Sequence, residues 1–144
     1  MNGESHGEGH YFWSNDSGIK SKFVNDYKGR WNYGKRDGNG VMNKINGDCY
    51  KGGFEGNFYS GEGFLKKDNG SWYRGRFVKG KLLEGKASEV EEKMGRVWVG
   101  HFVKGRRDGL GREKEVKSGK VWKVIYGHGQ KQVIGEEKSK CVLF

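Results

Sequence analysis

The sequence predicts an all-β protein in which short β-hairpins stack into an elongated, thin-layered structure. Three features lead to this prediction: a repeat marked by glycine and aromatic residues, an alternation of aromatic and basic residues within each copy, and turn signals between strands. Aliphatic residues are sparse and aromatic residues make up 14% of the chain. Aromatic side chains must therefore provide most of the buried area.

The repeat places an aromatic residue, a glycine and a second aromatic residue at alternate positions. The first copy begins at Tyr27, and it recurs 23 residues later at Tyr50 and another 23 residues later at Tyr73. A fourth copy begins 25 residues further on, at Trp98, and Trp122 opens an incomplete fifth. The predicted units lie near residues 27–49, 50–72, 73–97 and 98–121, with a partial unit at 122–129.

Each copy has the alternation of a half-buried strand. Tyr27, Gly29 and Trp31 lie on one face of the predicted strand, since successive side chains point to opposite faces. Lys28 and Arg30 lie on the other face. Such a pattern is typical of an antiparallel strand with one buried face. The central glycine predicts the close approach of another backbone or ring, which leaves no space for a Cβ.

Turn signals separate the strands. Asn46-Gly47 and Asn69-Gly70 predict two-residue hairpin turns, because both residue types tolerate positive φ. Asp37-Gly38 and Asp108-Gly109 predict a second kind of bend between strands. Each unit is expected to run strand, bend, strand, turn. Stacked units can bury an apolar face that a lone hairpin cannot bury.

These motifs resemble the membrane occupation and recognition nexus (MORN) repeat. Its pattern, Tyr-x-Gly-x-Trp/Phe-x-x-Gly-Lys-x-x-Gly-x-Gly, fits residues 27–40 and, with one or two replacements, residues 50–63 and 98–111. Residues 73–86 keep only the first half, because Glu84 and Lys86 occupy the expected Gly-x-Gly places. The resemblance covers roughly residues 27–122. It implies an all-β fold, a curved, elongated, single-layer antiparallel sheet of stacked hairpins.

Three stretches fall outside the regular units. Residues 1–26 are predicted to form a degenerate half repeat that caps the first hairpin. Residues 130–144 are predicted to be a polar C-terminal extension. The longer spacing before Trp98 puts an insertion near residues 88–94, where Ser88 and Glu91 have capping-box spacing. One or two helical turns or a plain charged loop are both compatible with it, and it is a hypothetical docking site.

Composition and motif content predict a binding protein without catalytic activity. The formal net charge of +10 favours anionic partners such as lipid headgroups, nucleic acid or acidic proteins, and a well-solvated surface is the alternative. There is no phosphate-binding loop, and the four histidines lack metal-ligand spacing. We therefore expect no enzyme activity, no metal and no cofactor. Two cysteines cannot form a disulfide framework, which favours a reducing, cytoplasmic location.

Two surfaces are candidate binding sites. The recurring rings form either a groove for a helix or strand of a protein partner or simply the core. These rings belong to Tyr27, Trp31, Tyr50, Phe54, Tyr73, Phe77, Trp98, Phe102 and Trp122. The opposite face is a candidate surface for an anionic partner, formed by Lys28, Arg30, Lys51, Arg74 and Arg76. Because rings and cations lie on opposite faces, nucleic-acid binding, which uses both together, is disfavoured.

The last four residues, Cys141-Val142-Leu143-Phe144, match a prenylation signature, and the terminal Phe favours geranylgeranyl. The alternative is an unmodified apolar terminus that packs on the last hairpin. One lipid chain holds weakly, so attraction of the basic face to anionic lipid would be a second signal.

The predicted function is that of a non-enzymatic scaffold or adaptor that joins protein components. A prenylated peripheral membrane protein that binds anionic phospholipid through its basic face is the alternative. The resemblance implies a place in a cytoskeletal, ciliary (axonemal) or membrane-apposed assembly. An oligomer is compatible with the pattern.

Overall fold

The fold is a single open antiparallel sheet, as predicted. The computed structural model describes residues 6–13 and 25–138. Eleven strands follow one another in the sheet in the order in which they occur along the chain. At about 4.8 Å between neighbouring strands, the sheet extends for ~50 Å along its hydrogen-bonding direction. The prediction of an all-β, single-layer sheet of consecutive hairpins is confirmed.

The strands are seven to eleven residues long. Their bounds are β1 Gly7–Trp13, β2 Asn25–Asn32, β3 Lys35–Asn43, β4 Cys49–Glu55, β5 Phe58–Lys66, β6 Trp72–Val78, β7 Lys81–Glu91, β8 Arg96–Val103, β9 Arg106–Glu115, β10 Val121–Gly127 and β11 Gln130–Glu137.

Two-residue turns connect the strands at one edge of the sheet, which we call the turn edge. Both residues of each turn have positive φ, the geometry that matches the right-handed twist of a hairpin. The turns are Tyr33-Gly34, Gly56-Asn57, Lys79-Gly80, Lys104-Gly105 and His128-Gly129. The prediction of bends at Asp37-Gly38 and Asp108-Gly109 is wrong: both pairs lie inside strands, a few residues after the true turns.

Longer connections lie at the opposite edge, the loop edge. The prediction of a two-residue turn at Asn46-Gly47 is also wrong, because a three-residue loop is present. Gly47 N donates to Lys44 O and Lys44 N donates to Asp48 O, and only the glycine has positive φ. Residues 67–71 repeat this arrangement. This loop is a type I turn followed by a left-handed glycine, the next most common hairpin connection.

The predicted insertion near 88–94 is partly strand. Ser88 lies within β7 and pairs with Val99, so it does not cap a helix. The helical segment that follows is a single 3₁₀ turn, Glu92–Met94, which ends at Gly95 in the left-handed region. Neither predicted alternative describes the segment, because pairing with β8 lengthens β7 before the chain turns.

Gly85 corrects the sequence reading of the third unit. In the first two units, glycines eleven residues apart pair across the hairpin, Gly29 with Gly40 and Gly52 with Gly63. In the third, Gly75 pairs with Gly85, which is ten residues away. The second glycine is therefore present, one position earlier than the pattern places it.

Both ends of the array are strands. β1 pairs with β2 along its whole length, so residues 7–13 do cover the first hairpin. The assignment of residues 130–137 to a polar extension is wrong, because they form β11 and pair with β10. The partial unit that begins at Trp122 is thus completed as a hairpin. Among the described residues, no helix is long and apolar enough to span a membrane.

The core lies on one face of the sheet, the ring face. Rings lean over glycines and meet across an intervening strand: Tyr27 on β2 and Phe54 on β4 have centroids 5.0 Å apart. A Cβ on Gly40 of β3 would lie 2.5 Å from the ring of Tyr27. Glycine in the middle strand therefore allows rings two strands apart to touch. This contact lets a single layer bury aromatic side chains.

Candidate functional site

All nine predicted ring residues lie on the ring face, but their exposure differs. Tyr27, Tyr50 and Trp98 are 0% exposed, and Phe54 and Phe77 are nearly as well buried. These five form the core rather than open anchors. Partly buried rings flank them: Trp31, Tyr73 and Phe102, and also Tyr126, which the sequence analysis did not single out. Trp122 lies on this face near its end, with the Arg96 guanidinium 5.8 Å from its ring centroid.

The tyrosine hydroxyls complete the ladder at the β-bulges. The register shifts just after Gly29 and Gly52, at the point where each strand passes its buried tyrosine. Tyr27 Oη donates to Arg30 O at 2.8 Å, and Tyr50 Oη donates to Gly53 O at 2.9 Å. Burial raises the pKa of Tyr50 to about 12, since the charged phenolate is poorly solvated there. Tyrosine at this position thus satisfies a carbonyl beside the bulge.

The strands curl around the ring face. Arg36 Nη1 and Met42 Sδ lie on the same strand and six residues apart, yet they approach to 3.5 Å. Six residues of straight strand would span ~20 Å. Between them lies Gly38, with φ of 95°, a conformation that glycine adopts without strain. The sheet therefore folds its two edges toward each other over the rings.

The curled sheet encloses a depression, which we call the trough. Two adjoining cavities of about 690 and 370 Å³ form it, within the range of pockets for small ligands. Turn-edge and loop-edge residues line both cavities, and Lys44, Tyr59 and Lys81 are common to the two. Lys44 of the loop edge places its Nζ 5.6 Å from the ring centroid of Tyr59 of the turn edge. The trough is floored by rings and bordered by both edges.

The charge of the trough is strongly positive. Its cationic lining residues are Arg36, Lys44, Lys67, Lys79 and Lys81. Asp48 is the only carboxylate among the described lining residues, and its oxygens accept hydrogen bonds from Asp68 N and Asn46 Nδ2. The trough therefore presents cations beside rings without a matching set of acids.

The MORN repeat profile matches residues 1–18, 27–49, 50–72 and 98–114, together more than half of the chain. The chain belongs to the MORN repeat family. The resemblance read from the sequence is thus confirmed. MORN repeats are in general non-catalytic binding modules. A comparison with curated proteins found no match.

The third MORN unit, residues 73–97, lies outside the profile matches, and its local structure differs. A Cβ on Gly75 would meet the backbone of Glu84 and Gly85 rather than the ring of Tyr73. Tyr73 Oη donates to Glu89 Oε1 at 2.8 Å instead of bonding a carbonyl beside a bulge. Burial and this hydrogen bond raise the pKa of Tyr73. Loss of one residue in the hairpin has moved the ring away from the glycines.

An ion cluster occupies the ring face beyond this unit. Arg107 near the turn edge bonds Glu89 at 2.5 Å and Glu91 at 2.8 Å, both near the loop edge. Its guanidinium lies 4.5 Å from the centroid of the Trp98 ring and donates to Tyr126 Oη at 2.8 Å. The cluster closes the ring face from edge to edge. The sequence analysis missed it, because its members are 16 to 37 residues apart and belong to different units.

A second buried carboxylate extends the cluster. Glu113 is 2% exposed, and Lys131 Nζ lies 3.1 Å from its oxygens. Arg96 lies 3.7 Å away, and Tyr126 Oη donates to it at 3.3 Å. A carboxylate this deeply buried requires such partners, because an unpaired charge in a protein interior is costly. Lys131 belongs to β11, so the last strand helps to neutralise the ring face.

The opposite face, the basic face, carries all five predicted cations, which are Lys28, Arg30, Lys51, Arg74 and Arg76, and all are exposed. Arg76 pairs with Glu84 at 3.5 Å, with both side chains about half exposed. Two rings also lie on this face, Phe64 and Trp72, with centroids 6.2 Å apart. Arg74 lies 5.0 Å from the ring centroid of Phe64. The premise that rings and cations are confined to opposite faces is therefore wrong for this MORN protein.

The remaining candidate residues give little chemistry. Cys141 and the three residues after it lie outside the described residues. Cys49 is partly buried. Within the described part of the chain, no group of three or more His, Cys, Asp or Glu side chains is placed to hold a metal ion.

Proposed function

We propose that this MORN-repeat protein is a non-enzymatic scaffold that binds a segment of a protein partner in the trough. The observation that carries the proposal is the convergence of both sheet edges on one ring-floored depression. Rigid strands hold its walls, so little conformational entropy is lost when a partner binds. Exposed apolar side chains border it, Phe58 at 56% and Ile45 at 41% exposure. Aromatic anchors beside a groove are typical of helix and strand recognition.

Site-specific crosslinking tests this proposal. The full chain would carry a photo-crosslinking residue either in place of Phe58, beside the trough, or in place of Lys28, on the basic face. We expect a discrete, saturable adduct with a protein in cell extract from the first position and not from the second. Excess unlabelled wild-type chain should compete, while an Ile45→Ser, Phe58→Ser variant should compete poorly.

The matched control is Leu110→Ser with Ile125→Ser. These two residues pair directly on the basic face and are also exposed, so the change in apolar surface is similar. The control variant should compete as well as wild type. Equal competition by both variants, or equal adducts from both crosslinking positions, would contradict binding in the trough.

A second proposal is membrane attachment through the basic face. It is supported by the exposed cations together with Phe64 and Trp72 on that face, since rings beside basic residues suit a membrane interface. Prenylation of Cys141 would add an anchor. Co-sedimentation with phosphatidylserine vesicles should fall for Lys28→Glu with Lys51→Glu and remain unchanged for Lys44→Glu with Lys81→Glu. Equal sedimentation of both variants would contradict it.

The cellular place of the protein follows from the same two proposals. We propose a cytoplasmic scaffold at the cytoskeleton or ciliary axoneme, by analogy with the family, or a peripheral membrane protein. Imaging of a tagged chain, with the tag at the N-terminus, compares wild type with Cys141→Ser. Loss of a membrane signal in the variant supports the anchor. An unchanged cytoskeletal or axonemal signal supports the scaffold alone.

A further inference from the structure

We infer that the trough selects an acidic partner segment, one in which carboxylates flank apolar side chains. The inference rests on the proposed function and names the chemistry of its partner. It follows from the way in which the second half of the molecule fills the same face with its own carboxylates.

Arg36 and Arg107 are equivalent residues, each the second residue of a strand that leaves a two-residue turn. Arg107 lies 4.5 Å from the Trp98 ring centroid and Arg36 lies 5.9 Å from that of Phe54. Around Arg107, Glu89 and Glu91 reach over from the loop edge and form ion pairs. The chain thus shows which groups this position accepts: carboxylates held beside a cation that covers a ring.

The trough lacks such carboxylates from its own chain. Among the described residues, the lysines that line it, Lys44, Lys67, Lys79 and Lys81, form no ion pair. Arg36 donates to Asn57 O at 3.2 Å and contacts Met42 Sδ. Several cations close to one another repel, and an acidic segment would relieve that repulsion while it gained charge-assisted hydrogen bonds.

The cations stand on both sides of the floor. Lys79 and Lys81 come from the turn edge, whereas Lys44 and Lys67 come from the loop edge. A segment that lies along the trough therefore meets positive charge on its two flanks and apolar groups beneath, among them Met42, Leu65 and Phe77. Acidic side chains pointing sideways and an apolar side chain pointing down fit this arrangement.

Other anionic partners fit less well. A membrane surface is too broad to reach a floor recessed between two sheet edges. Single-stranded nucleic acid stacks on exposed ring faces, whereas the rings of the floor meet one another edge to face and are largely buried. A peptide is narrow enough to enter and carries carboxylates and apolar groups on one chain.

Fluorescence anisotropy with three labelled peptides tests the inference. One peptide alternates glutamate and leucine, the second replaces every glutamate with glutamine, and the third replaces it with lysine. With the full chain we expect the glutamate peptide to bind at least about tenfold more tightly than the glutamine peptide, and the lysine peptide not to bind. Added salt should weaken the glutamate complex.

Charge reversal locates the binding. Lys44→Glu with Lys81→Glu should raise the Kd of the glutamate peptide at least about tenfold. Lys28→Glu with Lys51→Glu changes the net charge equally on the basic face and should leave the Kd within about twofold. Both lysine pairs are exposed, and thermal unfolding should show that both variants remain folded. The Lys44→Gln, Lys81→Gln variant should give an intermediate Kd.

The outcomes separate the inference from the proposed function. Equal weakening by both reversals would mean that net charge alone attracts the peptide, and would overturn the inference. Equal binding of the glutamate and glutamine peptides, weakened by Ile45→Ser with Phe58→Ser, would overturn acidic selection but keep the trough as a peptide site. Absence of binding by all three peptides would also overturn the inference, while the Phe58 crosslink would still test the scaffold.

Discussion

Residues 25–72 and residues 73–137 solve the same problem in two ways. In the first region the ring face is filled by rings that lie over paired glycines, and the space between the sheet edges stays open. In the second region Arg107, Glu89 and Glu91 bridge the edges over Trp98 and close that space. The difference shows that one repeat pattern can give either an open basic trough or a closed, charge-balanced face.

The cause lies in the third unit. There the glycine pair Gly75 and Gly85 is one residue closer along the chain than in the regular units. Tyr73 consequently bonds Glu89 rather than a backbone carbonyl, and this contact helps to hold Glu89 where Arg107 can reach it. A change of one residue in a hairpin thus alters what the neighbouring unit packs against.

The largest effect is expected from removal of the central cation of the closed region. Arg107→Met should destabilise the protein by about 3 kcal/mol, because Glu89 and Glu91 would be left without their partner in a site where Arg107 is only 17% exposed. Urea unfolding followed by tryptophan fluorescence measures the change.

Two further variants serve as controls for that result. Arg76→Met removes an exposed ion pair and should cost less than about 0.5 kcal/mol. Adding Glu89→Gln and Glu91→Gln to Arg107→Met should restore part of the stability, since the unpaired charges are then gone. If Arg107→Met and Arg76→Met cost the same, the ion cluster does not stabilise the closed region.

A smaller loss is expected when a ring in the open region is pushed from its glycine. The Cβ of Gly63→Ala would overlap the hydroxyl of Tyr50, which is fully buried and cannot move freely. We expect a loss of about 2 kcal/mol in the free energy of unfolding. Gly135→Ala, with nothing within 4 Å of the added Cβ, should be neutral within about 0.5 kcal/mol. Similar values for the two variants would argue against the ring-over-glycine contact.

The tyrosine hydroxyls of the open region should make stability depend on alkaline pH. Burial raises the pKa of both Tyr50 and Tyr59 to about 12, above their ordinary value of 10.0. The folded state therefore favours the neutral phenols, and their contribution is complete below pH 10 and is lost as the pH rises from 10 through 12. Unfolding curves at pH 8, 10 and 11.5 should show this fall.

Removal of one hydroxyl tests the same point. Tyr50→Phe should cost about 1 kcal/mol at neutral pH, because Gly53 O loses its donor, and should reduce the alkaline fall. Tyr33→Phe, at a ring that is 67% exposed, should change neither quantity. An unaltered pH dependence in Tyr50→Phe would show that another group causes it.

The smallest effect concerns the turns, which are alike in both regions. Lys104 has φ of 53°, a conformation that is unfavourable for lysine and better tolerated by asparagine. Lys104→Asn should stabilise the protein by about 0.5 kcal/mol. Thermal unfolding should show a small rise in Tm, and an unchanged or lower Tm would mean that this turn imposes no strain on lysine.

Much of the fold was predictable because the repeat carries it. The spacing of Tyr27, Tyr50 and Tyr73 and the alternation around them predicted the strands, the single sheet and the face on which the rings lie. The turn positions were mistaken, since Asn46-Gly47 gives a stronger local signal than Tyr33-Gly34, although the latter is the two-residue turn. Lys79 and Lys104 show why: tertiary pairing of the strands can force ordinary residues into positive φ.

The candidate sites were predictable only in part. The basic cations were correctly placed on the exposed face, whereas Trp72 on that face was missed because it directly precedes the repeat tyrosine and does not itself recur. The trough and the Arg107 cluster had no sequence signal. Each depends on side chains from several units that meet only when the edges curl together.

The amino-acid sequence by itself determined the repeat, the strand order and the burial of one aromatic face, since these follow from local periodicity and from the small supply of other apolar groups. The tertiary structure decided how strongly the strands curl, which half of the ring face stays open and where charge gathers. Those properties depend on contacts between residues far apart in the chain, such as Lys44 with Tyr59 and Arg107 with Glu89. Local patterns carry no information about such distances.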